Sequence, residues 1–334
     1  PGTMGNTVRH FTSAMQGGSL YLASIPGILS SNLNRSLIAE TEIRNLNGER
    51  ISPEEILPGR PYLFSPDSES EEIRLFAEEQ ATGLQSQSPI KTEGINGSFS
   101  YVSVPAMAKL TLSGLLNEFS QPIVPAAQVW RPESERFEVI YSDQITLDSW
   151  SALVVNENIP QPLEARPGTL SRAPLDRMIT FSIFEEGNSR SETLLDQSYL
   201  TFMPNYWTSS GRRYDLPKLM PLHVSDQGEA AVGQDHAFFY LRNAESNQQV
   251  NSFTHLPYEP SQDYRISADL LSTKRSMQAV LRWNLTDNIP DEWEIILEDR
   301  ISGQQINMRE QTSYRYRHAE GEPLLLHENT ADRP

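Results

Sequence analysis

Cysteine is absent from the 334 residues of this chain. That removes thiol nucleophiles, cysteine-ligated zinc and disulfide staples together, and leaves the redox compartment open. Positive charge is scarce: 27 Lys and Arg stand against 44 Asp and Glu, a formal net charge of −17. A chain of that sign repels phosphates, so neither a nucleic-acid partner nor an anionic membrane surface is expected. The acidity is spread over both halves and reads as a solubilising surface. Apolar runs are short throughout. None approaches the roughly 18 residues that cross a bilayer, so no membrane insertion is expected.

Motifs for chemistry are equally sparse. The histidines are His10, His223, His236, His255, His318 and His327, and no two have the spacing that sets paired imidazoles on one helical face for zinc. There is no nucleophile elbow, phosphate-cradling loop or dinucleotide fingerprint, so no cofactor and no catalytic residue is expected. Asp235-His236 and His255 read as hydrogen-bonded structural histidines. Acidic neighbours such as Glu185-Glu186, Asp291-Glu292 and Glu298-Asp299 read as solvated surface; a glycoside hydrolase would need two carboxylates facing across a cleft, which places that activity a distant third. The stretch "SPDSESEE" from Ser65 lacks the glycine and alternation of an EF-hand loop, and no metal is expected there.

What the chain does contain is turns and short strands. Twenty-three prolines and 18 glycines punctuate it roughly every 8 to 12 residues, the spacing of an all-β fold. The length suggests about two domains. The expectation is two consecutive β-sandwich-like domains, Ig-like or jelly-roll-like. They occupy 19–158 and 177–318, after a tag remnant and lead-in segment over 1–18. A proline-rich linker, 159–176, separates them, and 319–334 is a C-terminal linker tail. The opening "PGTM" suggests a piece of a longer protein.

Local patterns carry this layout. "TEIRNLNGERISPEEILPGRPYLFSP" reads as a strand, a turn at Asn47-Gly48, a second short strand and a third over Tyr62 to Phe64. "EEIRLFAEEQA" suits a strand or a short surface helix. "AQVWRPESERFEVIY" is a hairpin, and "ITLDSWSALVV" closes the first domain. In the second, Trp293, Ile295 and Leu297 alternate with Glu294, Ile296 and Glu298, which predicts a strand. Ser302-Gly303 supplies a hairpin turn, Ile306 and Met308 resume the alternation, and Tyr314, Tyr316 and His318 alternate with Arg315 and Arg317. Three strands in a meander follow, with Trp283 and Trp293 in the core. "YLASIP" and "YVSVP" form a weak echo of one another.

The order of these residues resembles a known pattern. "YDLPKLMPL" from Tyr214, "FTHLPYE" from Phe253 and "AVLRWNLTDNIPDEWEIILEDRISGQQINMREQTSYRY" from Ala279 resemble the β-rich accessory region that precedes the C-terminal sorting domain in bacterial type IX secretion system cargo proteins. "SYVSVPAM", "AAQVWRPESERFEVI" and "LDSWSALVV" resemble the smaller module that often precedes it. The resemblance implies an extracellular or cell-surface location, a non-catalytic structural or binding role, and other domains of the parent protein as partners. It transfers no catalytic residue. The sorting domain has no counterpart here, and residues before Phe99 resemble nothing named.

One binding alternative comes from aromatics. "SYLTFMPNYWTSSGRRYD" gathers Tyr199, Tyr206, Trp207 and Tyr214 beside Arg212 and Arg213. Loop aromatics stack on sugar rings while polar neighbours orient hydroxyls, so Tyr206, Trp207, Arg212 and Tyr214 are the candidate ligand residues of a carbohydrate-binding module with a polysaccharide ligand. Exposed coplanar aromatics around Trp207 or Trp150 would mark such a module. The simpler reading folds Tyr206 and Trp207 over a sheet edge.

Overall fold

The computed structural model describes residues 10–25, 27–29, 41–57, 59–67, 73–79, 90–91, 98–103, 112, 115–116, 126–141, 150–156, 164–165, 177–187, 191–203, 215–219, 237–243, 251–258, 263–272 and 276–319. Among them there is no α-helix, and strands make up nearly all of the regular structure. The fold is all-β and sandwich-like. The chain forms two compact units, the first built from residues up to Ile90 and from Phe99–Arg172, the second from Ala173–Leu219 and Gly233–Pro334.

The first unit contains β1 (His10–Met15), β2 (Tyr21–Ser24), β3 (Gly27–Leu29), β4 (Thr41–Arg44), β5 (Pro61–Pro66), β6 (Ile73–Glu79), β7 (Ile90–Lys91), β8 (Ser98–Ser103), β9 (Leu115–Leu116), β10 (Ala127–Arg131), β11 (Arg136–Ile140), β12 (Ala152–Asn156) and β13 (Glu164–Ala165). They make sheets in the orders β1-β6-β3, β2-β5-β4, β11-β10-β12-β8-β7 and β13-β9. Residues 73–79 are a strand. After β4 the chain reverses as its composition demands. Asn45 Oδ1 accepts the N–H groups of Asn47 and Glu49, each at 3.0 Å, and Gly48 takes φ 83°, which costs glycine nothing. The second short strand expected here is only a single bridge between Arg44 and Arg50. The chain then leaves the sheet: the Ser52 N–H and hydroxyl both donate to the Glu55 carboxylate, at 2.7 and 3.0 Å. That local closure over the 3-10 turn Pro53–Glu55 diverts the backbone from strand pairing.

Met15, Ile25, Ile43, Phe64, Leu75 and Trp150 form one core in this unit. Trp150 is held there because its carbonyl accepts the Ser24 N–H at 2.9 Å and Ser151 bridges Ala23. In the β10–β11 hairpin the cross-strand pair Trp130 and Phe137 packs edge to face at 5.2 Å, and Trp130 Nε1 donates to the Leu20 carbonyl at 2.6 Å. The echo strands β2 and β8 belong to different sheets.

The second unit contains β14 (Met178–Glu186), β15 (Glu192–Met203), β16 (Leu216–Pro217), β17 (Ala237–Asn243), β18 (Asn251–Pro257), β19 (Ile266–Ser272), β20 (Ser276–Leu285), β21 (Ile296–Glu298), β22 (Gln305–Asn307) and β23 (Ser313–Ala319). The large sheet runs β19-β17-β18-β15-β14-β20-β23, with β16 beside β18. Alternation sets its inner face. Phe181 and Ile183 of β14 lie opposite Trp283 and Leu281 of β20, and Phe239 and Leu241 of β17 opposite Leu270 and Ala268 of β19. All eight belong to one buried cluster. The sheet is curled, so rows from distant strands share that core.

The expectation of a three-stranded meander after Asn288 is corrected in two ways. β21 and β22 form a two-stranded sheet of their own, and β23 returns to pair with β20, Leu281 opposite Tyr314. The β21–β22 hairpin turns Leu297, Ile306 and Met308 into the core. An apolar face on a short hairpin thus closes the core while the longer β23 takes the open edge of β20. Trp293 lies before the strand, in a turn in which its N–H donates to the Pro290 carbonyl at 3.1 Å, because proline stops the extended run. The alternation itself holds: Leu297 is buried and Ile296 exposed.

Candidate functional site

Among the described residues, a dense group of buried polar side chains lies in the second unit, where Asp215–Leu219 runs beside β18. All five of its residues are buried. Leu216 lies opposite Phe253 of β18, and a charged side chain at each side of Leu216-Pro217 ties the segment down. On one side, Lys218 Nζ lies 2.6 Å from Asp196 Oδ2, with the two side chains only 6% and 9% exposed. Lys218 also donates to the Gln197 carbonyl at 3.0 Å. Asp196 accepts two backbone donors, Phe239 N–H on Oδ2 at 2.7 Å and Gln197 N–H on Oδ1 at 2.8 Å.

A β-bulge places this carboxylate. The β14–β15 register steps from Ile183 opposite Asp196 to Phe184 opposite Leu194, so Leu195 is the extra residue, and bulges re-aim the side chains beside them. From Asp196 onward the period of two puts it in one row with Ser198, Leu200 and Phe202. Ser198 Oγ donates to the Phe239 carbonyl at 2.5 Å.

On the other side, Asp215 Oδ1 accepts the backbone N–H of His255 at 2.9 Å and lies 2.8 Å from its Nδ1. Asn251 Nδ2 approaches Oδ2 at 3.4 Å. Ser252 Oγ donates to the Pro217 carbonyl at 3.2 Å. His255 is buried within β18. Chemically, this arrangement fastens. Its polar groups bind the short β16 segment to β15 and β18.

A second grouping is aromatic. Tyr258 stacks on Trp293 at 5.6 Å, Phe202 meets Trp293 edge-on at 4.8 Å, and Tyr264 lies 6.3 Å from it. The Arg177 guanidinium sits 4.2 Å over the Tyr258 ring, a cation–π contact. The Tyr264 hydroxyl donates to the Pro257 carbonyl. Phe202 belongs to the buried core, and Tyr258, Tyr264 and Trp293 pack on it half-buried.

Tyr206, Trp207, Arg212 and Tyr214 lie outside the described residues, as do Arg213, Asp235, His223, His236 and His327. Tyr199 is described and buried, its hydroxyl donating to Gln197 Oε1 at 3.1 Å. Trp150 cannot serve as an exposed sugar platform: it is 8% exposed and packs in the first unit's core. Of the acidic neighbours, Glu186 pairs with Arg315 at 3.5 Å, and Asp299 is turned inward to accept the hydroxyls of Ser302 and Tyr314 at 2.8 and 2.5 Å. Among the described residues no three His, Asp or Glu side chains are grouped so as to hold a metal ion.

Sequence reasoning missed Asp196, Lys218 and Asp215 as a set. A partial signal is present, since Lys218 stands between Pro217 and Leu219 in "DLPKLMPL" and Asp196 follows Leu194-Leu195. No protein family, curated protein or solved structure matches the chain.

Proposed function

We propose that the chain is a non-catalytic structural region of a secreted or cell-surface bacterial protein, spacing or supporting the other domains of its parent. The observation that carries this reading is the employment of the buried polar side chains. Asp196 with Lys218 and Asp215 with His255 fasten one segment to β15 and β18. Buried ionic groups of this kind are costly to desolvate and are placed where they fix one arrangement of the chain. The resemblance to type IX secretion cargo supports the location and the accessory role.

The direct test replaces this region in its parent with an unrelated β-sandwich pair of matched span. A spacer predicts that the activities of the neighbouring domains survive the exchange. Alongside it, the chain is offered panels of polysaccharide, ester and peptide substrates, and glycans in pull-down and calorimetry, as wild type and as Trp207→Ala. No turnover is expected. Glycan binding lost in Trp207→Ala would favour the carbohydrate-binding module, whereas hydrolysis abolished by replacing one carboxylate would overturn both readings.

A further inference from the structure

We propose that Lys218 Nζ and Asp196 Cγ become joined by an intramolecular isopeptide bond once the second unit has folded. The reacting groups are already in place. Lys218 Nζ lies 2.6 Å from Asp196 Oδ2, the side chains being 6% and 9% exposed. The amine is oriented by its 3.0 Å bond to the Gln197 carbonyl. The carboxylate is immobilised by the N–H groups of Phe239 and Gln197, at 2.7 and 2.8 Å. Holding an amine and a carboxyl in contact replaces a bimolecular encounter by an intramolecular one and so removes the entropic part of the barrier to amide formation.

The step balances within the pair. The ammonium passes one proton to Oδ2, leaving a neutral amine and a carboxylic acid. The nitrogen lone pair attacks Cγ, and negative charge develops on Oδ1, where the Gln197 N–H already donates, the arrangement that stabilises a tetrahedral oxyanion. The second nitrogen proton goes to the Oδ2 hydroxyl as the Cγ–Oδ2 bond breaks. One water leaves and one N–H remains on the amide. No oxidant or further reactant is needed.

Burial favours the product. As ions, the two groups carry the desolvation cost of two charges, whereas the amide carries none. Exclusion of water opposes the reverse hydrolysis. The bond would tie β15 covalently to the segment after β16 and close the chain between residues 196 and 218 into a loop. This inference uses the same Asp196–Lys218 pair as the structural reading, but its test reads the mass of the chain itself and stands or falls apart from what the parent protein does.

The test is the intact mass of the folded chain, measured after denaturation. The expected value lies about 18 Da, one water, below the mass of the linear chain, with a proteolytic fragment joining the peptides that contain Asp196 and Lys218. Lys218→Arg and Asp196→Ala are expected at their full sequence masses. A wild-type chain with a β-sheet circular dichroism spectrum and the full mass overturns the proposal, whatever the variants do. So does a deficit that persists in Lys218→Arg, or one whose fragment maps to other residues.

Discussion

Trp283 Nε1 donates to the Met308 carbonyl at 2.8 Å, so the inward row of β20 is tied to the end of the β21–β22 hairpin that closes the core. The same tryptophan lies opposite Phe181 and is 5% exposed. Its truncation removes a large core volume, and Trp283→Ala is expected to cost about 3–5 kcal/mol. Trp283→Phe keeps much of the ring but orphans the Met308 carbonyl, at about 1–3 kcal/mol. Trp293→Ala, at a half-buried position, should cost less than Trp283→Ala. Urea unfolding of the three variants ranks them, and equal midpoints for the two alanine variants would refute the difference in burial.

Gly303 isolates the backbone contribution of the hairpin turn. It takes φ 69°, and a Cβ added there would meet nothing within 4 Å. Gly303→Ala therefore pays only for the left-handed conformation, about 1–2 kcal/mol. Gly303→Asn should lose less, because asparagine tolerates that region. Denaturant midpoints for the two variants decide it; an asparagine variant no more stable than the alanine variant contradicts this account.

Much of this fold was legible because its signals are local. The alternation of Ile295 and Leu297 with Ile296 and Glu298 reads directly as an inward and an outward row, and Ser302-Gly303 reads as a turn. What could not be read is partnership over distance. Nothing near Tyr314 says that β23 seeks Leu281 rather than the neighbouring β22, and nothing in Tyr199 announces a parallel partner at Phe253. Such choices are made by the whole curled sheet. The buried polar group was hidden for a related reason: Asp196 acquires its direction from the bulge at Leu195, and a bulge is defined by the opposite strand. Trp150, a candidate platform by its sequence setting, is buried by strands far away along the chain.

Asp215 tests the fastening role of the polar segment. Its carboxylate serves the His255 backbone N–H and lies against His255 Nδ1, with both side chains 3% exposed. Asp215→Ala leaves the backbone donor unpaired in the interior, and the expected loss is about 3 kcal/mol. Asp215→Asn retains an acceptor oxygen and should lose less. Hydrogen exchange gives a sharper readout, since the His255 amide should lose protection in Asp215→Ala before the amides of β20 do. Unaltered protection at His255 would mean that the carboxylate is not what secures it.

The second unit's stability should fall at both extremes of pH for separate, assignable reasons. At Asp299, burial alone would raise the carboxyl, but the hydroxyls of Tyr314 and Ser302 and the N–H groups of Ile301 and Ser302 outweigh it and hold the group below its ordinary 3.8. A depressed carboxyl stabilises fully above that value and ceases to as pH falls through the folded-state pKa, so the acid loss begins below 3.8. Tyr240 moves the other way: burial first, then the charge and hydrogen bond of Asp269, push its phenol up to about 12. Burial also raises Tyr316, aided by Asp269 and Asp299. A raised phenol contributes in full below its ordinary 10, and the unfolded chain ionises first as pH climbs, so stability declines from 10 towards about 12. Urea midpoints measured across pH should show both limbs. Asp299→Asn should flatten the acid limb and, because Asp299 also helps to raise Tyr316, weaken the alkaline one, whereas Tyr240→Phe should shorten the alkaline limb alone. If either substitution leaves its own limb unchanged, the assignment of that limb to that side chain is wrong.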